Sequence, residues 1–302
     1  MGTAVRVPRG KRVRGSVPSL YVVAALLCVV SPARAGDDPT RDPTIGTRTI
    51  VTLFPAGDVY PVYVADPQRP ANAMLFRFNT QNGIPATAMR RTSLSAGGRF
   101  GFVRVETADR RSWQVSMDAG LDALFDTDHS DDAIGWDGNY GITVTTASGP
   151  WSLKVGVLHV SAHVGDEYED RVHRTRIDYT REEVAVGVGW RPSPRVRVYG
   201  ETAHSYQLLN PQQQPWRVQQ GVEYELPSSL WEGRFAWYVA ADLQSMQERS
   251  WRIDRVVQGG VVTRSSGHTY RLLIEYYNGR PPISEFFSTS EINVTFGLRI
   301  EL

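Results

Sequence analysis

The chain has 302 residues, 33 basic and 32 acidic side chains and a single cysteine, so neither a strongly basic nucleic-acid binder nor a disulfide scaffold is expected. Six of the basic residues lie in the first 35 positions; without them 27 basic residues stand against 32 acidic ones, a net charge of −5, and no nucleic-acid partner is expected.

Residues 1–35 read as a signal peptide. Arg6, Arg9, Lys11, Arg12 and Arg14 form a basic start, "LYVVAALLCVV" is an apolar run of 11 residues, and "ARA" at Ala33–Ala35 fits cleavage before Gly36. Cys28 lies inside this run behind Leu27, which is too large for a lipoprotein signal, so no lipid anchor is read there. Residues 36–70 are proline-rich and show little periodicity, as an extended segment that is either a plug or a periplasmic tail.

From residue 71 to 302 the apolar residues recur with period 2. In "SWQVSMDAGLDALFD", Trp113, Val115, Met117, Ala119, Leu121, Ala123 and Phe125 share one face, and polar residues alternate with them. Similar runs fall near 72–79, 93–106, 136–147, 151–164, 174–190, 195–207, 215–226, 233–247, 250–264, 268–278 and 290–302, which gives 12 strands, or 10 if the weak runs are discounted. Tight turns ("TADRR", "ASGP", "RPSP", "PSSLWEG", "SSGH") alternate with longer polar loops near 79–92, 126–135, 165–174, 207–214 and 279–289. The fold class expected is therefore all-β, a transmembrane antiparallel up-and-down β-barrel.

A soluble barrel alternates as well, but strands of about 11–15 residues exceed the usual soluble length. Aromatic residues also gather at strand ends, Trp113, Trp151 and Trp190 by the tight turns and Phe125, Trp136, Trp216 and Trp251 by the long loops, as two interfacial girdles. The other parity carries Arg197, Glu201, Arg217, Glu223, Arg234, Asp242, Arg271, Glu275 and Arg299, charges expected to pair and fill the lumen.

The segments "VADPQRP", "SAHVGDEY", "RIDYTREE" and "EYYNGRPPISEFF" resemble a bacterial family filed as domain of unknown function 1207, over roughly residues 54–302. That resemblance implies a surface-associated β-barrel and no assigned activity. The final "TFGLRIEL" resembles the C-terminal assembly signal of bacterial outer-membrane proteins, ending in leucine rather than an aromatic residue. The expected partners are the barrel assembly machinery and outer-membrane lipid or lipopolysaccharide.

The candidate chemistry lies in "VLHVSAHVGDEYEDR". His159-x-Ser161 is similar to the His-x-Ser of outer-membrane phospholipase A and of lipid A deacylases, barrels that place a third polar or acidic residue on the following strand. A hairpin centred near Tyr168 or Glu169 would set Asp178 across from His159, giving a catalytic set of His159, Ser161 and Asp178 in which His takes the Ser proton and Asp steadies the imidazole. Thr180 and Glu182 share the parity of Asp178. His163, Asp166, Glu167 and Glu182 are read as binding or packing residues around the set, with "GDEYED" (Asp166, Glu167, Asp170) a solvated acidic loop rather than a cation site.

Continuing the parity of Trp151, Leu153, Val155 and Val157 would aim His159 and Ser161 at lipid. Leu158, Val160, Ala162 and Val164 are also apolar, however, so bulges in both strands and an inward-facing cluster are expected, with an outward site as the rival. No zinc spacing, phosphate loop or dinucleotide fingerprint occurs, and no cofactor is expected. Two functions remain open: a structural or passive barrel whose polar cluster lines its extracellular mouth, or a lipid-acyl hydrolase.

Overall fold

The computed structural model describes residues 49–226 and 230–301. The expected signal peptide and residues 36–48 lie outside the described residues. Thirteen strands follow: β1 (Ile50–Leu53), β2 (Asn72–Gln81), β3 (Arg90–Glu106), β4 (Ser112–Asp126), β5 (Asp132–Ser148), β6 (Trp151–Val164), β7 (Thr180–Ser193), β8 (Val196–Leu208), β9 (Trp216–Glu225), β10 (Ala236–Met246), β11 (Ile253–Ser265), β12 (His268–Gly279) and β13 (Glu291–Glu301). From β2 onward each strand pairs antiparallel with the next, and β13 closes on β2, so the 12 strands form a barrel with no free edge. The short β1 lies outside this cycle and pairs with the tight-turn end of β3, Ile50 opposite Glu106.

The expected alternation is realised around the wall. Val186, Val188 and Trp190 are exposed, whereas Ala185 is fully buried. Trp136, Trp151, Trp190, Trp216 and Trp251 all lie exposed near strand ends; Trp113 and Phe125 are half-buried. The inner face is a network of charges. The Arg217 guanidinium bonds Glu183 at 2.5 Å and Glu201 at 2.8 Å, Lys154 also pairs with Glu201, and Arg91 meets Glu291 at 2.7 Å. Of the expected inner-face charges, Arg234 is instead exposed in the turn before β10, because that strand begins at Ala236.

Residues 54–71 run through the lumen from the tight-turn side, held by polar contacts. The Tyr63 ring stacks on Tyr199 with centroids 3.9 Å apart, and its hydroxyl donates to Glu201 at 2.7 Å. Arg197 donates to the carbonyls of Pro61 (2.7 Å) and Val62 (3.1 Å), and the Val64 amide donates to Glu223 at 2.8 Å. Arg69 pairs with Glu301 at 2.8 Å. A prolyl, irregular backbone has few internal hydrogen bonds, and here the barrel's own side chains satisfy it.

The long loops close the other end. Ile84, Leu124, Ile134, Val164, Tyr168, Ile283 and Phe286 form a buried apolar cluster across the mouth. Tyr168 belongs to α1 (Asp166–Val172), and its hydroxyl, pushed up in pKa by burial and so kept neutral, donates to the Pro85 carbonyl at 2.8 Å. Gly165 precedes this helix where an added Cβ would lie 1.9 Å from the Ala133 carbonyl oxygen, so only glycine lets α1 turn in so closely. The β12–β13 loop folds inward beside it: Ser284 bonds Asp137 through its hydroxyl at 2.6 Å, and Glu285 accepts from the amides of Ile177 (3.0 Å) and Tyr179 (3.1 Å).

Candidate active site on the outer wall

The outer face of β5, β6 and β7 near the long-loop end carries the polar cluster. Antiparallel register sets three rows across these strands. His163 lies opposite Trp136, Ser161 lies between Gly138 and Thr180, and His159 lies between Tyr140 and Glu182. The β6 register runs without a shift against both neighbours, so the parity of exposed Trp151 and Leu153 continues unbroken to His163. The expected bulges and inward-facing cluster are therefore corrected: His159, Ser161 and His163 face outward. The apolar inner parity that suggested otherwise has another cause. Ala162 packs with Tyr179 and Phe287, with Val160 and Ile177 beside them, and Val164 joins the mouth cluster, so the lumen is apolar there because the loops fold into it.

Glu182 is the carboxylate at His159. Its Oε1 lies 2.6 Å from Nδ1, with side-chain exposures of 17% for the histidine and 24% for the glutamate, a pair shielded enough to be strong but still reachable. A carboxylate that accepts Nδ1–H fixes the tautomer and leaves the Nε2 lone pair free. The residue expected in this role, Asp178, precedes β7, is exposed, has a left-handed φ of 52° and lies outside the β6–β7 pairing, which ends at Ser161 and Thr180. The difference is one of register. The β6–β7 connection contains α1, so its midpoint is not set by a turn, and the pairing lies four residues further along β7 than a simple hairpin would give.

Aromatic rings brace the cluster. The His159 ring lies on Tyr140 at 4.4 Å and 22°, and the His163 ring on Trp136 at 4.1 Å and 28°. Ser161 Oγ lies 3.1 Å from His163 Nε2. Gly138 leaves open space between the two stacks: an added Cβ would meet only the Trp136 ring edge at 3.4 Å and the Ser161 carbonyl at 3.9 Å, so packing does not demand glycine there. A shift in the β7–β8 register at Glu182/Glu183 leaves half-exposed Tyr206 as an extra residue between Ser205 and Gln207.

The remaining candidates lie apart from this wall. Asp166 and Glu167 are exposed in the first turn of α1, where acidic residues suit the helix dipole, and Asp166 pairs with Arg176 at 2.6 Å. Exposed Arg176 is raised in pKa chiefly by its hydrogen bond to Glu169. Sequence reading placed Glu182 among the binding residues. The sign of its closer role was available: it interrupts the apolar row Val184, Val186, Val188 and Trp190, just as His159 interrupts Leu153, Val155 and Val157. Two such interruptions at one height on neighbouring strands mark a built feature of a lipid-facing wall.

A closed 12-stranded antiparallel barrel with an apolar, aromatic-edged outer face is a barrel of the bacterial outer-membrane type. The chain belongs to the family described as "Protein of unknown function (DUF1207)", which it matches over residues 34–301. No curated protein matches it. Among solved structures it is similar to outer membrane phospholipase A from Escherichia coli, at 9% identity and a TM-score of 0.54, covering 77% of this chain and 92% of that one. It is also similar to the Salmonella typhi outer membrane phospholipase dimer with bound calcium, at 9% identity and a TM-score of 0.56, covering 77% and 90%. The NanC porin aligns at 13% identity with a TM-score of 0.43, over 76% of this chain and all of that one. At these identities the likeness is one of fold.

Proposed function

We propose that this barrel is a lipid-acyl hydrolase that works on its lipid-facing wall, with Ser161 as nucleophile, His159 as general base and Glu182 as the carboxylate that orients it. The observation that carries the proposal is the 2.6 Å contact of Glu182 with His159 Nδ1, on the same outward face as Ser161. A polar histidine–carboxylate pair on a hydrocarbon-facing wall costs free energy, up to a few kcal/mol for a charge at mid-bilayer and less towards the interface, so its presence favours a chemical role. The phospholipase activity named for two proteins of similar fold agrees with this reading.

In the reaction, His159 Nε2 takes the Ser161 hydroxyl proton as Oγ attacks the ester carbonyl, and the carbonyl π electrons move to oxygen. The tetrahedral intermediate collapses with cleavage of the bond to the alcohol oxygen, which receives the proton from His159. Water, deprotonated by His159, then releases the fatty acid from Ser161 by the same steps in reverse roles. Glu182 stays ionised and stabilises the imidazolium formed in each half.

The site suits an acyl ester held in the outer leaflet. His159 stands eight residues along β6 from Trp151, about 20 Å up a tilted strand and short of the second aromatic girdle, whose Trp136 lies opposite His163. Phospholipid and lipid A both offer such esters. Passive transport fits less well, because the 54–71 segment and a charge network narrow the lumen to a cavity of about 130 Å³ at mid-barrel, beyond a wider one of about 660 Å³ at the tight-turn end. The same reading includes export by the 1–35 signal with cleavage near Ala35, and recognition of β13 by the barrel assembly machinery.

The test is fatty-acid release from vesicles of phospholipid, or of lipid A with phospholipid, by the folded barrel. Wild type is expected to release fatty acid from one of the two. Ser161→Ala is expected to release none, while migrating on gels as the same heat-modifiable barrel. Equal release by wild type and Ser161→Ala would remove Ser161 as the nucleophile, and none by either would leave a structural barrel as the function.

A further inference from the structure

Ser161 has a histidine on each side along β6, and the two are not alike. His159 has the carboxylate of Glu182 on Nδ1. His163 has no carboxylate in the described contacts; its ring is fixed by the Trp136 stack, and its Nε2 points at Ser161 Oγ from 3.1 Å. A general base gains from a carboxylate that stabilises its protonated form, and His163 lacks one. A histidine held by stacking with Nε2 at the nucleophile donates from that nitrogen in its Nε2–H tautomer.

Resting on the hydrolase reading above, we propose that His163 is the oxyanion donor of this site. Residues two apart on a strand stand about 7 Å from each other, so the serine hydroxyl between two histidines turns towards one or the other by a single staggered step of χ1. When Oγ turns to His159 to give up its proton, it vacates the position in front of His163 Nε2. The carbonyl oxygen of the ester, bonded to the carbon that Oγ attacks, enters that space. As the Oγ–C bond forms, the carbonyl π pair becomes an oxyanion that accepts the Nε2–H hydrogen bond, and His163 keeps its proton throughout. The gap over Gly138, between the Trp136–His163 and Tyr140–His159 stacks, has room for an added carbon at ordinary contact distance and is the approach by which the ester carbon would reach Ser161. An acyl carbonyl compound is therefore the substrate class, with the ester of an outer-leaflet lipid the member that the hydrolase reading supplies, since an oxygen charge develops on its carbonyl in the transition state.

Three variants test the role in the vesicle assay, each first shown to migrate as a folded, heat-modifiable barrel. His163→Phe keeps a ring on Trp136 and removes the donor; kcat is expected to fall about 10²–10³-fold with KM changed by less than about threefold. His163→Gln keeps an N–H donor but cannot take up a proton, and is expected to recover about tenfold or more of that loss. A Phe variant as fast as wild type would reduce His163 to a packing residue and overturn the proposal. A Gln variant no better than the Phe variant would also overturn it, pointing to a proton-transfer role. Ser161→Ala separates the two levels. If it hydrolyses as fast as wild type, the hydrolase reading fails and this inference with it; if it is inactive and His163→Phe is not impaired, only the donor role fails.

Discussion

Glu182 and Asp178 present competing carboxylates for one imidazole, and the geometry decides between them. Glu182→Gln keeps the size of the side chain but removes the charge that, in the proposed hydrolase, holds the tautomer and steadies the imidazolium. It is expected to lower kcat by about 10³–10⁴-fold. Asp178→Asn alters an exposed residue outside the β6–β7 pairing, and should hydrolyse within about twofold of wild type in the same assay. Similar losses from the two variants would return the carboxylate role to the sequence-based assignment. The sequence made His159 and Ser161 visible because both break an apolar row on one strand. It did not reveal their partner, because a seven-residue helix in the β6–β7 connection displaces the register. It also misjudged the face, since loop packing against Ala162 and Val164 makes the inner row as apolar as the outer one.

Among the elements, the barrel strands were legible throughout, because period-2 patterning is a direct record of which face meets lipid. The 36–70 segment was not, because its contacts are made by proline-flanked backbone and by long-range ion pairs that leave no local pattern. Its described part depends on the same charges that brace the wall. Arg217 joins Glu183 and Glu201, and Glu201 also accepts from Tyr63. Replacing Arg217 with Met removes the cation shared by two buried carboxylates, leaving Glu183 to Arg181 and Glu201 to Lys154 and Tyr63, and is expected to destabilise the barrel by about 2 kcal/mol, read by urea unfolding with tryptophan fluorescence in lipid. A change below about 1 kcal/mol would mean that the wall packing holds without this network. Deleting residues 55–70 is expected to raise the ion conductance of the reconstituted protein well above that of wild type. No change on deletion would place the barrier in the loop cluster at the other end.

As a whole molecule, the protein has two faces of opposite character. The inside is filled by charge pairs, the 54–71 segment and an apolar cap, and the outside is mostly apolar, with the polar rows of β5–β7 and the exposed His204, Gln220 and Arg255 on other strands as its exceptions. The fold explains the division. A barrel of 12 strands is narrow enough to be filled by side chains, so rigidity comes from within and the outer wall can carry a site without losing its shape. The closed barrel should resist detergent unheated and shift in mobility on boiling. The sharpest measurement is covalent labelling of the folded, detergent-solubilised barrel with a long-chain alkyl fluorophosphonate, followed by intact mass and peptide mapping. One adduct is expected, on Ser161, formed by wild type and His163→Phe at different rates and lost in Ser161→Ala. An unlabelled wild-type barrel, or an adduct on any other residue, would contradict it.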